Sequence, residues 1–271
     1  LMIITVLFLS KPDNYESYNC TDCNLIIISA TNLRADHLGT YGYHRETSHL
    51  IDNFAADSLV FEDAYAQASW TLPSATSFLT SLYPYEHKVM NRVGGEMLSR
   101  SVVTLADSLK SRGYKTAIFT GGFDYSWEYD VITRFDNTVT APLSKFVVFG
   151  YGGLNVTIPL AINWLATNKE QKFFLFIQGY DAHCPYNPPE VFDIFTSDYN
   201  GSIDRNKCYV TFNETKPIEI NGGKNYLVNV TSLNATSSDY VYEHVLIDEK
   251  DVKYLVDSYD GEIRLVDESI G

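Results

Sequence analysis

Between Ser69 and Pro84 the chain reads Ser-Trp-Thr-Leu-Pro-Ser-Ala-Thr-Ser-Phe-Leu-Thr-Ser-Leu-Tyr-Pro. A hydroxyl residue stands two places before a proline, and small residues then alternate with apolar ones. Proline is tolerated in the first turn of a helix, where its missing N–H has no intrahelical partner to lose. Pro73 therefore predicts a helix from about Ser74 to Leu82, with Thr71 at or near its N-cap. A side chain there faces unpaired backbone N–H groups and the positive end of the helix dipole, a setting that suits a tetrahedral anion. Two readings stay open. Thr71 is either a nucleophile beside an anion site or an ordinary threonine cap ahead of a proline turn.

Other chemically capable residues lie where apolar runs end. Asn24 to Ser29 is a continuous β-branched run, the pattern of a strand buried on both faces, and it gives out at Ala30-Thr31-Asn32. Lys115 to Thr120 ends at Gly121-Gly122, and Lys172 to Gly179 ends at Asp181 and His183. In open α/β sheets chemistry collects at such carboxyl ends. The plainer alternatives are a loop-orienting role for Asp181, packing of His183 on Tyr186, a capping role for Asp36 and a structural one for His87.

The connecting segments must position these groups. Helical spacing marks Ser48 to Asp57, Val102 to Arg112 (closed by Gly113), Thr157 to Asn168 with Pro159 in its first turn, and Asp248 to Ile270. Leu59 to Tyr65 reads as a short strand or extended segment, and Pro188 to Phe195 as a short helix. From about 198 to 247 Gly, Asn, Ser and Thr dominate, which predicts a loop or hairpin insertion. Strands alternating with helices give an α/β sandwich with a mainly parallel sheet. The chain stops at Gly271 with no closing strand after the last helix, so a domain truncated at its C-terminal side is expected.

A formal net charge of −14 argues against a nucleic-acid binder, which needs a basic face, but leaves room for an anionic substrate held by local positive charge. Leu1 to Ser10 is apolar and uncharged but too short to cross a bilayer. With residues up to 23 it reads as the clipped remnant of a signal or membrane anchor plus linker, or alternatively as a first strand. An exported protein fits six Asn-x-Ser/Thr sequons, at Asn19, Asn155, Asn200, Asn213, Asn229 and Asn234. It also fits disulfides among the four cysteines, with Cys184–Cys208 the candidate pair. The Cys20-x-x-Cys23 pair lacks the second close pair of a zinc site and the preceding strand of a redox motif.

Several segments together resemble one family. Asn24-Leu-Ile-Ile-Ile-Ser followed by Leu33-Arg-Ala-Asp-His-Leu-Gly-Thr-Tyr-Gly-Tyr is similar to the opening of the sulfatase family, within the alkaline-phosphatase-like superfamily. Phe61 to Ser74, Leu79 to His87, Leu109 to Ala117, Asp181-Ala-His-Cys-Pro-Tyr and Tyr259 to Gly271 resemble further family segments, in family order. The resemblance implies hydrolysis of sulfate or phosphate esters by a nucleophile at a helix N-terminus, with a divalent metal, usually calcium, at the strand ends. It puts Thr71 at the nucleophile position and His183 at that of an anion-binding or acid histidine. Asp181 and Ser74 fall at substrate-binding positions, and the paired metal positions fall on Thr31 and Asn32. Thr71 cannot become formylglycine, Thr31 and Asn32 carry no charge, and the arginine expected four residues after the nucleophile is Ala75.

The implied partners are a sulfated or phosphorylated polymer, lipid or small ester, met outside the cell, in a periplasm or at the cell surface. Membrane association would run through the N-terminus. The alternatives are a sulfatase-fold binding protein without turnover, or a phosphoryl or headgroup transferase using Thr71.

Overall fold

The computed structural model describes residues 3–7, 23–91, 96–122, 129–140, 152–196, 199–211, 217–220, 223–233 and 240–271. Its main sheet has the order β1-β2-β5-β3-β4, formed by β1 (Ile3–Leu7), β2 (Leu25–Ala30), β3 (Lys115–Thr120), β4 (Asn137–Thr140) and β5 (Phe173–Gly179). β2, β5, β3 and β4 run parallel, while β1 is an antiparallel edge strand against β2. The apolar N-terminal stretch thus supplies a strand. Cys20, Phe123 and the sequons at Asn19, Asn213 and Asn234 lie outside the described residues.

The central strands are apolar in both registers because both faces are covered. Ile27, Phe174, Phe176 and Ile118 pack on one face in a cluster with Leu72, Ala75 and Leu79 of α2 (Thr71–Thr80) and Ala106 of α4 (Leu105–Lys110). Ile28, Leu175, Ile177, Ala117 and Phe119 pack on the other with Leu154 and Ala161 of α5 (Leu154–Asn168) and Tyr259, Ile263 and Val266 of α6 (Glu249–Ile270). Two short helices, α1 (His49–Ala55) and α3 (Pro84–His87), complete this layer structure.

Several expected elements differ. Leu59 to Tyr65 forms no strand: among the described residues no strand pairs with it, and Leu59, Phe61 and Tyr65 stand exposed. Pro188 to Phe195 is not a helix but a turn closed by the Phe192 N–H on the Pro189 carbonyl at 2.8 Å. α5 begins at Leu154, three residues early, so Pro159 lies inside the helix; the Asn155 carbonyl that its absent N–H would have bonded belongs to an exposed residue and can turn to water. The insertion is a second sheet, not one hairpin. In it β8 (Gly223–Leu233) pairs along its length with β9 (Tyr240–Asp248), while β6 (Cys208–Thr211) and β7 (Ile218–Ile220) share its other edge.

α6 holds the loops together through acids that point inward. Asp248 caps it, accepting from the Lys250 and Asp251 N–H groups. Asp257 and Asp260 are buried yet fully engaged. Asp260 meets His37 Nδ1 at 2.6 Å and accepts from Tyr43 and Arg45 at 2.7 Å, and Asp257 accepts from Arg45 at 2.7 Å. Asp267 accepts from the Leu50 and Ile51 N–H groups, and so caps α1 where Ser48 does not. The Tyr259 hydroxyl accepts from the Arg34 N–H at 2.9 Å and donates to the Asn32 carbonyl at 2.7 Å.

Glu262, also buried, accepts from the Asn187 N–H at 2.8 Å. Burial pushes its carboxyl up to about 8, against the Asn187 hydrogen bond, and the nearby Asp181 charge adds to the rise.

Two outcomes follow from these acids. Asp260→Ala strands Tyr43 and part of Arg45, and should cost about 3 kcal/mol in urea unfolding. Glu262 has a folded value above its unfolded one, so its contribution to stability is full below about pH 4.5 and is lost as pH rises through about 8. Glu262→Gln keeps the acceptor for Asn187 without the titration. Its melting temperature should therefore fall less than wild type's between pH 5 and 8, and exceed wild type's at pH 8 by roughly 2–4 °C for each kcal/mol recovered. Parallel pH profiles for the two proteins would remove Glu262 from this account.

Candidate functional site

The α2-side face of the sheet changes character one row from its carboxyl edge. Ile27, Phe176 and Ile118 are register partners and form an apolar row; two residues on, the partners are Ser29, Gln178 and Thr120. All three of the latter are fully buried. Gln178 joins the outer strands: its Nε2 donates to Thr31 Oγ1 at 2.6 Å, and its Oε1 accepts from Thr120 Oγ1 at 2.9 Å. Thr120 Oγ1 also accepts from the Gly122 N–H at 3.3 Å. Ser29 Oγ has no hydrogen-bond partner. Neither Gln178 nor Thr120 stands out in the sequence by motif. The signal was present, since a lone glutamine closing the run Phe173 to Ile177 must find partners if buried.

Thr31 and Asn32 lead out of this row. Thr31 is buried, with its N–H on the Gly179 carbonyl at 2.9 Å. Asn32 takes φ +64°, a left-handed turn that Asn tolerates, and Tyr259 holds its carbonyl.

α2 starts three residues earlier than the proline suggested. Trp70, extended at φ −145°, ψ 164°, is the N-cap and makes no side-chain cap bond; Thr71 is the first helical residue, not the cap, and Pro73 the third. The free first-turn N–H groups are those of Thr71 and Leu72, because Pro73 has none and the Ser74 N–H reaches the Trp70 carbonyl at 3.4 Å. Ser74 is buried just inside this turn. No hydrogen bond links Thr71 to Thr31. His87 is structural: Nδ1 accepts from the Val89 N–H at 3.1 Å, so Nε2 carries the proton and faces Ser77 Oγ at 3.0 Å. Burial holds its basicity below the ordinary histidine value.

The third strand end is packed too closely for side chains. A Cβ on Gly121 would lie 1.8 Å from the Gly152 carbonyl oxygen, and one on Gly179 would lie 2.4 Å from the Leu154 nitrogen. Asp181, expected at a substrate-binding position, directs both carboxylate oxygens to the Leu154 N–H, at 3.0 and 2.7 Å, and thereby holds the start of α5. Burial raises its carboxyl to about 6, opposed first by the Leu154 hydrogen bond. His183 meets the Cys184 carbonyl through Nδ1 at 2.6 Å, which makes that nitrogen the protonated one and leaves Nε2 as the acceptor of the neutral ring. A disulfide joins Cys184 to Cys208, with Cα atoms 5.2 Å apart, and so ties the His183 loop to β6. Cys23 is also disulfide-bonded.

The residues at the strand ends do not fit a hard divalent cation. Such ions take carboxylate oxygens, but the buried row here offers Ser29, Thr31 and Thr120 hydroxyls with the Gln178 amide, and the Asp181 carboxylate beyond β5 is turned to the Leu154 N–H. The Thr31 oxygen already has an N–H aimed at it. Among the described residues no group of three or more His, Cys, Asp or Glu side chains is arranged to hold a metal.

The sulfatase family model matches residues 23–271. An N-acetylgalactosamine-6-O-sulfatase of Bacteroides thetaiotaomicron is 32% identical over 111 residues, 40% of this chain and 22% of that protein. Bovine arylsulfatase A is 35% identical over 102 residues, 35% of this chain and 20% of that one. Among solved structures, the phosphonate monoester hydrolase of Agrobacterium radiobacter superposes with a TM-score of 0.60 at 17% identity, covering 91% of this chain and 57% of that one. The matched parts thus span about a fifth of these two curated relatives. A family generally dependent on a divalent metal is here represented by a chain with neutral strand ends. With the family model matched from Cys23 to Gly271 and the parallel sheet shared with its solved structures, the chain belongs to the sulfatase family, within the alkaline-phosphatase-like superfamily.

Proposed function

We propose that this chain carries the ester-recognising part of a sulfatase-fold hydrolase, in which the first turn of α2 receives the sulfate or phosphate group and Thr71 is the nucleophile. One observation carries the reading. Thr71 opens α2 directly after an extended Trp70, beside two unpaired N–H groups, and the sequence resemblance is what assigns it the nucleophile role. Those N–H groups and the helix dipole favour charge on the anion's oxygens. Thr71 Oγ1 would attack the sulfur or phosphorus in line, its new bond forming as the bond to the ester's leaving oxygen breaks, with the hydroxyl proton passing to water. His183, on a loop fixed by the disulfide and by the bond of its Nδ1 to the Cys184 carbonyl, would bind the anion or protonate the leaving oxygen as the imidazolium, the form in which Nε2 also carries a proton. A plain threonine forms a phospho-enzyme without maturation, which favours phosphate over sulfate. Asp181 acts by holding α5 and the loop that bears His183. Ser74 lies inside the turn as a neighbouring hydroxyl.

Substrates of the solved relatives support the ester class. One was solved with D-glucosamine-2-N,6-O-disulfate and another with a neocarrahexaose. The disulfide Cys184–Cys208 supports an extracellular, periplasmic or cell-surface setting. Among the described residues no helix is long and apolar enough to cross a membrane.

A second reading, binding without turnover, is favoured by the Thr31–Gln178 hydrogen bond, at a residue for which the resemblance implies a metal-ligating carboxylate. Assays with nitrophenyl phosphate and nitrophenyl sulfate separate the two. Hydrolysis should fall by about a thousandfold or more in Thr71→Ala and survive in part in Thr71→Ser. Turnover unaffected by Thr71→Ala would remove the nucleophile. Absence of turnover in wild type, with inorganic phosphate or sulfate still raising the melting temperature, would establish the binding reading.

A further inference from the structure

We infer that the carboxyl ends of β2, β5 and β3 form a cation-free clamp, in which the Gln178 amide joins Thr31 to Thr120 across the central strand. The inference concerns how the strand ends are held and does not depend on Thr71's chemistry.

The orientation of the amide is fixed by its surroundings. Nε2 lies 3.3 Å from the Gly179 carbonyl oxygen as well as 2.6 Å from Thr31 Oγ1, so this end of the amide must be the donor. At the other end, Thr120 Oγ1 accepts from the Gly122 N–H and gives its own proton to Oε1. Each polar atom of the amide is therefore matched, which burial requires. A cation at Thr31 would have to meet this amide hydrogen, positive against positive, and break the clamp. It would gain only neutral oxygens in return, including Ser29 Oγ.

The clamp also lies in the right place to act. Gln178 shares its register row with Ser29 and Thr120 on the face that packs against α2, one row beyond the apolar contacts of Ile27, Phe176 and Ile118. It links β2 to β3 through a strand that pairs with both. It also anchors the point from which Thr31 and Asn32 turn away towards Tyr259. Gln178 is a positioning residue in this account, with no contact to substrate required.

Thermal unfolding of the full-length protein, in chelator and then in millimolar calcium, magnesium or manganese, tests the clamp without reading activity. Wild type should melt within about 1 °C in all conditions, because a cation bound at a hundredfold above its dissociation constant would raise the midpoint by several degrees. Thr31→Val and Thr120→Val each leave one end of the amide unpaired, and should lower the midpoint by roughly 3–8 °C, equally with and without metal. Gln178→Leu should lower it further. If Gln178→Leu fails to fold, the two valine variants decide.

A calcium-induced rise in wild type that disappears in Thr31→Val would overturn the inference, as would valine variants that melt like wild type. A rise that persists in Thr31→Val puts the cation elsewhere and leaves the strand ends metal-free. Loss of ester turnover in Thr71→Ala would bear on the nucleophile alone.

Discussion

Everything around the strand ends depends on α6, whose buried acids face inward instead of outward. A carboxylate removed from water is costly unless its oxygens are met by donors. Asp257, Asp260 and Asp267 are each met, by Arg45, by His37 with Tyr43, and by the N–H groups at the start of α1. Removing the helix would leave the loop from Asn32 to Ile51 without its partners: Tyr259 holds two backbone groups at its start, Asp260 three side chains along it, and Asp267 the helix that ends it. The fold thus uses side-chain acceptors where a sheet or helix would use backbone ones. That ties a long irregular segment to one rigid element.

This constraint reaches the candidate site through Asn32. Its left-handed turn is unfavourable for most residues and is kept because Tyr259 fixes the carbonyl on one side while Thr31 is fixed on the other. Both fastenings are neutral hydrogen bonds. The same economy recurs at Asp181, whose carboxylate serves the backbone of α5 and not the open site. It recurs at Gly121, Gly152 and Gly179, where backbone contacts backbone because no Cβ intervenes. Thr31 and Asp181, to which the resemblance gives ligand roles, each make hydrogen bonds that hold the scaffold.

How much of this could be read from the chain varied with the physics of each element. β2, β3 and β5 were read almost to the residue, since a strand buried on two faces must be apolar throughout and few other elements are. α6 was readable as a helix from its spacing. Its buried acids were not, because charge on a helix normally marks the solvated face. The start of α2 was set three residues late: Pro73 fits any position of the first turn, and only the backbone angles of Trp70 distinguish cap from first residue. Leu59 to Tyr65 has strand composition but no partner, and composition carries no information about partners. Thr31, Thr71 and His183 were singled out for their roles by the resemblance and not by local physics. Gln178 was not found, since its importance lies in which strands β5 separates, a property of topology and not of local sequence.

The charges of the loop also bear on how an anion could be attracted. The protein is acidic overall, and the guanidinium groups near the strand ends are already used. Arg45 bridges Asp257 and Asp260, and Arg34 forks onto Asp36 at 2.9 and 2.6 Å. Neither is offered to an incoming ester. Among the described residues the positive end of α2 offers two unpaired N–H groups, fewer than the usual three or four because Pro73 removes one. Attraction of that kind is short-ranged and fades within the first turn, so an anion bound there would have to be seated, not steered. Placement then matters more than charge, and placement is what the Gln178 row, the Tyr259 contacts and the disulfide-held His183 loop supply.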